Sequence, residues 1–206
     1  MFSGLVRASA PLFLSMVTTL LGSLVVTAML GRHATVTLAA FAVMTAVLSP
    51  AATAVAGALR GLAPFVAPHR DDPDAVLPVL RDARWLSLFA LALLTLGGPV
   101  LGLFTGDPAV RAVALALLPL MLLAALADAV QAVQGFGLTG LKRTGASLAY
   151  FATGYGLLAL AAVPVAATWG VTGLWAAVLA GNGLLALLQG TGFHRHSARV
   201  GVVTGV

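Results

Sequence analysis

The most unusual residue of this sequence is a carboxylate inside an apolar run. Residues 120–141 read LMLLAALADAVQAVQGFGLTGL, and from Ala112 to Leu141 Asp128 is the only charged residue. A charge at mid-bilayer costs about 2.5–3.5 kcal/mol on insertion scales, so such residues usually face a bundle interior or a water-filled cavity. Gln131 and Gln134 follow at three-residue spacing, which puts the three side chains on one arc of a helix. We predict that Asp128 is the ion-coupling group of a transporter.

Further polar side chains in the apolar segments are candidates for lining a substrate cavity together with Gln131 and Gln134. They are Tyr150, Tyr155 and Asn182. Each has a simpler alternative, because buried amides often bond across membrane helices and tyrosines anchor helix ends at the interface. Asp128 has one too, as a neutral acid that ties helices together by a hydrogen bond. The sequence leaves these alternatives open.

The composition indicates an integral membrane protein. Of 206 residues, 60% are hydrophobic and 8% charged, with a mean hydropathy of +1.05. A soluble domain with so few charges would lack a polar surface. The net charge of +5 does not indicate nucleic-acid binding, because the basic residues lie at the ends of apolar segments. The absence of cysteine excludes disulfides and thiolate metal sites.

The length and the apolar runs predict a single all-α transmembrane domain over residues 1–206. Its six spans lie at about 8–30, 35–59, 85–104, 110–134, 146–166 and 171–188. The polar connection 60–84 is expected to be a loop, then a short amphipathic helix that starts at Asp72-Pro73-Asp74 and runs into the third span. Gly106-Asp107-Pro108 repeats this start before the fourth span. A glycine-rich turn at 135–145, a break at Pro164 and at 168–170, and a polar tail from 194 are also expected.

The basic residues orient this arrangement. Two of them, Arg32 and Arg111, fall on one side of the predicted membrane. The other nine share the opposite side; they are Arg7, Arg60, Arg70, Arg81, Arg84, Lys142, Arg143, Arg195 and Arg199. Because cytoplasmic loops carry the excess of Lys and Arg, both termini are predicted to be cytoplasmic.

No pattern in the sequence indicates an enzyme. There is no catalytic triad arrangement, phosphate-binding glycine loop or zinc motif. We therefore expect no cofactor and no resident metal, and only a coupling ion, H⁺ or Na⁺.

Several segments together resemble one lobe of the multidrug and toxic compound extrusion (MATE) family. They are APLFLSMVTTLLGSLVVTAMLGR in the first span, LFTGDPAVRAVALALLPLMLLAALADAVQAVQGFGLTGLKRTGASLAY around spans three to five, and GLLALAAVPVAATWGVTGLWAA across spans five and six. The resemblance covers residues 5–190. Members of that family have twelve spans in two lobes of six, so the resemblance implies that this chain forms one such lobe. It also implies export of cationic or amphipathic compounds, including xenobiotics, against a proton or sodium gradient.

The lobe resembled more is the C-terminal one, in which an aspartate of the fourth helix is implicated in ion coupling, and Asp128 falls at that position. Two departures stand out. Residues 24–27 read LVVT, where the N-terminal lobe often carries an acid, and Gly140-Leu141-Lys142-Arg143-Thr144 lacks the aspartate usual in that turn. Coupling would therefore depend on Asp128 alone.

A single lobe implies a partner. An even number of spans lets a second copy insert in the same orientation, and a two-fold axis along the membrane normal would then recreate the two-lobe cavity. We predict a homodimer, or a heterodimer with a similar half. Ten arginines to one lysine, with abundant alanine and glycine, indicate a GC-rich bacterial genome, and we therefore expect the protein in a bacterial inner membrane. The alternatives are a lipid-linked or polysaccharide flippase-like protein, and a non-transporting subunit or truncated lobe.

Overall fold

Every regular element among the described residues is a helix. The computed structural model describes residues 35–69, 72–93 and 97–203, with isolated positions between 10 and 31. Within these ranges the helices, numbered α1 to α6, are Thr35–Leu59, Leu62–Val66, Pro73–Leu93, Gly97–Phe104, Pro108–Gly140 and Thr144–Val203. The predicted first span, 8–30, lies outside the described residues except for the isolated positions. α1 has the bounds predicted for the second span.

The connection between α1 and α3 contains a helix that the sequence analysis missed. Residues 60–72 were predicted to be a loop, but α2 occupies Leu62–Val66. Pro64 does not prevent it, because the first turn of a helix needs no backbone N–H donors. Leu62 and Val66 are buried against the rest of the bundle, so the short helix is stabilised by tertiary packing.

Both predicted aspartate caps are present. Asp72 Oδ1 accepts hydrogen bonds from the backbone N–H groups of Asp74 and Ala75 at 3.1 and 3.2 Å, directly before α3. Asp107 Oδ1 accepts from Ala109 N at 2.8 Å and Val110 N at 3.4 Å, with Pro108 in the first turn of α5. Each carboxylate satisfies N–H groups that have no partner within the helix.

Two helices extend further than the sequence predicted. α5 ends at Gly140, whereas the fourth span was predicted to end at 134, and α6 ends at Val203, whereas the sixth span was predicted to end at 188. The predicted glycine-rich turn therefore begins six residues too early, and the predicted polar tail from 194 is helical to Val203. The reason is tertiary packing. Phe193 is 1% exposed and lies on Gly137, so the end of α5 and the end of α6 stabilise each other as helices.

α6 is two helices joined at one glycine. Gly170 has φ 59° and ψ −148°, while Pro164 lies inside the helix. The halves 144–169 and 171–203 run antiparallel, because Gly154 approaches Leu185 and Leu158 approaches Gly181. The predicted break at 168–170 thus falls at its last residue. The predicted break at Pro164 is wrong, because the helix continues through this proline as far as residue 169.

Two apolar clusters contain different parts of α5. The Met121 cluster comprises Ala40, Met44, Leu101, Val110, Ala114, Leu117 and Met121. The Phe193 cluster comprises Leu59, Leu62, Val66, Leu80, Val133, Leu138 and Phe193. The stretch of α5 from 122 to 132 lies between the two clusters, and it contains Asp128.

The outer surface is apolar. Leu160 is 77% exposed, Trp169 72% and Leu187 68%. Pro108–Gly140 and Thr144–Arg195 are long and apolar enough to cross a membrane, the second of them divided at Gly170. At 1.5 Å per residue, α5 is about 50 Å long, which exceeds a hydrocarbon core of about 30 Å. Exposed apolar side chains on such helices are suited to contact with lipid tails.

Gly140 tests the packing of α2 on α5. A Cβ added at Gly140 would lie 2.7 Å from Val66 Cβ and 3.0 Å from the backbone oxygen of Ala63, so α2 would have to move. We expect Gly140→Ala to lower the free energy of unfolding by about 1–3 kcal/mol, the usual cost of overpacking. Thermal unfolding in detergent measures this. Gly57→Ala is the control, since nothing lies within 4 Å of a Cβ added there. Equal stability of the two variants would contradict the close packing of α2 on Gly140.

Candidate functional site

The site begins with Asp128 and Gln131 on α5. Gln131 Nε2 donates a hydrogen bond to Asp128 Oδ1 at 2.9 Å, so the two polar groups predicted to share one arc are in direct contact. Asp128 is partly exposed, whereas Gln131 is 6% exposed. Because the pair lies between the Met121 and Phe193 clusters, apolar packing separates it from both ends of the helix.

Asn182 joins the second half of α6 to this part of α5. Its Nδ2 donates to the backbone oxygen of Ala124 at 3.1 Å, and the side chain is 8% exposed. Ala124 precedes Asp128 by four residues, about one helical turn. Asn182 therefore lies near the level of Asp128 along α5. Its hydrogen bond joins two helices, which is the simpler alternative that the sequence left open for this residue.

Gln134 lies in a tight crossing of the same two helices. Its Nε2 is 2.8 Å from the position of a Cβ added at Gly190, and Gln189 Oε1 is 3.0 Å from one added at Gly135. Each glutamine thus lies on a glycine of the opposite helix. Glycine allows this close approach, because a methyl group at either position would displace the glutamine amide.

Gln189 is a buried polar residue that the sequence analysis did not select. It is 0% exposed, and it falls one residue beyond the predicted end of the last span at 188. A signal was present in the sequence, since Gln189 follows Asn182 by seven residues and therefore shares its face of the helix. The buried glutamines and Asn182, together with the partly exposed Asp128, form a polar seam between α5 and the second half of α6, defined by Asp128, Gln131, Gln134, Asn182 and Gln189.

The two tyrosines are placed apart from each other. Tyr150 packs against the Phe193 cluster and lies over Gly192, where an added Cβ would be 2.6 Å from its hydroxyl oxygen. Tyr155 stacks on Phe151 with ring centroids 6.0 Å apart. Tyr150 is therefore near the Gln134 end of the polar seam, while Tyr155 belongs to an aromatic pair on the first half of α6.

The polar seam supplies mainly oxygen acceptors. A carboxylate and carboxamide oxygens are suited to binding a proton, a hard monovalent cation or the cationic group of a small molecule. Among the described residues no group of three or more His, Cys, Asp or Glu side chains could hold a metal ion. Any ion held here would therefore depend on Asp128 for charge and on amides for the remaining contacts.

Comparison with known proteins identifies the fold. No protein-family model matches the sequence, and no curated protein matches it. A solved MOP superfamily transporter from Pyrococcus furiosus matches with a TM-score of 0.76 at 19% identity, over 89% of this chain and 43% of that one. A multidrug resistance MATE family transporter of the MOP superfamily, solved in an outward-facing conformation, matches with a TM-score of 0.75 at 20% identity over the same shares.

The chain therefore has the all-helical membrane fold of one lobe of a MOP superfamily transporter. It spans less than half the length of either solved chain. The resemblance to a single MATE lobe that the sequence predicted is confirmed at the level of the fold.

Proposed function

We propose that this protein is a half-size, MATE-like secondary active transporter, which exports small cationic or amphipathic compounds by proton- or sodium-coupled antiport and works as a dimer. The observation that carries the proposal is the polar seam around Asp128, inside a lobe whose fold is that of transporters. A carboxylate in a membrane helix bundle is expensive, and it usually marks an ion or substrate pathway.

Asp128 is the coupling group in this proposal. It is partly exposed, so an ion can reach it, and the amide of Gln131 already orients one of its oxygens. Alternating access requires that the group bind the coupling ion on one side of the membrane and release it on the other. Gln131, Gln134, Tyr150, Tyr155 and Asn182 remain substrate-cavity candidates, of which the amides lie closest to Asp128 along the seam.

The charge of the apolar helices favours a cationic or neutral cargo. Residues 35–59, 112–141 and 144–193 contain no lysine or arginine, and Asp128 is their only formal charge. A flippase for phosphate-bearing lipids would need basic residues in its cavity. Cargo is not fixed by the fold, because the structure of the Pyrococcus furiosus transporter is described as showing a binding pocket of reversed polarity that suggests a different function. The lack of internal basic residues is therefore the argument against an anionic cargo.

The decisive experiment is transport by this chain alone. Proteoliposomes containing only the purified protein would be loaded with a fluorescent cation, and its efflux followed under an imposed pH gradient and, separately, a sodium gradient. We expect gradient-dependent efflux of the cation and none of a size-matched anionic dye. Efflux of the anion instead, or equal efflux without any gradient, would contradict the proposal.

A second copy of this chain is the partner in this proposal. Since the chain covers 43% of two-lobe transporters, a second lobe would complete the cavity between lobes. The chain has no cysteine, so Gly145→Cys introduces a single labelling site at an exposed position where nothing lies within 4 Å. We expect a defined spin–spin distance between labels in lipid nanodiscs, which dilution with unlabelled protein removes. If the spin–spin measurement shows only the background from randomly distributed labels at every protein-to-lipid ratio, the protein is a monomer.

The runner-up function is a lobe that depends on a different chain. The partial coverage of the solved transporters supports it as well as it supports a homodimer. One result would distinguish this function from the first. The protein would be stable and correctly inserted but would transport nothing alone, and gradient-driven efflux would appear when a second six-span lobe is supplied.

A further inference from the structure

The polar seam contains buried amide atoms without a protein partner. Among the described residues, Gln189 Nε2 and Oε1, Gln131 Oε1 and Gln134 Oε1 are buried and make no hydrogen bond to another protein group. Gln189 is 0% exposed, Gln131 6% and Gln134 7%. Most buried polar atoms in proteins have a hydrogen-bond partner. A buried atom without a partner is unfavourable, because it has lost the hydrogen bond that it made to water in the unfolded chain. Four such atoms on three neighbouring side chains therefore point to a bound molecule.

These side chains lie along one path that follows α5, in the order Gln131, Gln134 and Gln189 from Asp128. Gln131 contacts Asp128 directly, Gln134 is three residues further along α5, and Gln189 lies against Gly135. With a rise of 1.5 Å per residue, the path extends about 9–10 Å along α5 from Asp128. It stops at the Phe193 cluster, where Phe193 packs on Gly137.

The chemistry and the space both limit what can bind. Three of the four atoms are oxygens that accept hydrogen bonds and one is an amide nitrogen that donates them. A bound molecule must therefore donate several hydrogen bonds and accept at least one. The helices are closely packed at the crossing, since a Cβ added at Gly190 or Gly135 would lie 2.8 Å from Gln134 Nε2 or 3.0 Å from Gln189 Oε1. A small molecule therefore fits there more easily than an organic ligand. Water meets both conditions, because it donates two bonds, accepts two and fills the smallest cavities.

We propose that Gln131, Gln134 and Gln189 bind ordered water inside the lobe and form a hydrated extension of the Asp128 site. The extension leads from Asp128 along the crossing of α5 with the second half of α6 and ends at the Phe193 cluster. Its bearing on ion coupling rests on the proposed function, but the presence of water does not. The water supplies the missing partners of the amides, and it keeps Asp128 in hydrogen-bonded contact with the interior of the lobe.

Radiolytic labelling tests this without any transport measurement. Hydroxyl radicals made by X-rays from bound water oxidise the nearest side chains, and Phe193, one turn from Gln189, is 1% exposed and so is shielded from bulk water. We expect Phe193 to be labelled in the intact protein in nanodiscs, and its labelling to fall several-fold in Gln189→Met. Leu174 is the internal control: it is 1% exposed and lies among apolar side chains, so it should stay unlabelled throughout.

The result that overturns the proposal is equally specific. An unlabelled Phe193 in the parent protein, or labelling that Gln189→Met leaves unchanged, means that no water is bound there. If Gln189→Met does not fold, Gln134→Met replaces it with the same expected loss of labelling. In the efflux assay, Gln189→Met is expected to slow gradient-driven export. A parent that exports nothing would refute the proposed function, while the labelling result would still decide the water site.

Discussion

Asp128→Asn is expected to reduce gradient-driven export to the level of protein-free liposomes. Asparagine has nearly the same shape as aspartate and retains an oxygen that can accept the 2.9 Å hydrogen bond from Gln131 Nε2. It cannot bind and release a proton, and it brings no charge to attract a cation. From residue 112 to 141 no other charged side chain could replace it. The loss of export should therefore come from lost ion coupling alone. Expression, membrane insertion and thermal stability should stay close to those of the parent.

Asp107→Asn is the matched control for this substitution. Asp107 is the carboxylate at the start of the same helix, where it caps the N–H groups of Ala109 and Val110. Asparagine is as good an N-cap as aspartate, so this variant should keep both its stability and its export rate. Efflux rates of parent and both variants, measured at equal reconstituted protein, give the comparison. Export retained by Asp128→Asn would place coupling elsewhere, and loss of folding would make Asp128 a structural residue.

The features that the sequence predicted well are those set by neighbouring residues. The caps at Asp72 and Asp107 depend on a carboxylate next to a proline, and both form as expected. The contact between Gln131 and Asp128 likewise follows from three-residue spacing on one helix. Gly170, which lies in the predicted break at 168–170, ends the first half of α6, because glycine readily adopts the positive φ found there. In each case the physics acts within a few residues, so one sequence contains it.

The features that the sequence missed depend on residues far apart in the chain. α2 forms because Val66 packs against Gly140, and α5 and α6 extend because Phe193 packs against Gly137. Local propensity alone predicts a turn at glycines 135–140, but tertiary contacts outweigh a cost of about 1 kcal/mol per glycine. Gln189 was missed for the same reason. Its importance comes from its position against Gly135, which is 54 residues earlier in the sequence and close only after the helices pack.

The site thus depends on the reversal at Gly170, since this residue returns the chain so that Asn182 and Gln189 reach α5. Its φ of 59° with ψ of −148° lies in a region that residues with a Cβ avoid. Nothing lies within 4 Å of an added Cβ, so a substitution there acts through the backbone alone. We expect Gly170→Ala to lower the free energy of unfolding by about 1–3 kcal/mol, the usual cost of such strain.

Gly156→Ala separates this backbone strain from the general effect of adding a methyl group. Gly156 also has nothing within 4 Å of an added Cβ, but it lies within the helical first half of α6 and has no positive φ. Replacing a glycine inside a helix by alanine is stabilising by roughly 0.5–1 kcal/mol, so the two variants should move in opposite directions in thermal unfolding. Radiolytic labelling of Phe193 in Gly170→Ala would then show whether strain at the turn reaches the crossing of Gln189 with Gly135. If both alanine variants are equally stable, the turn does not hold Gly170 in its left-handed conformation.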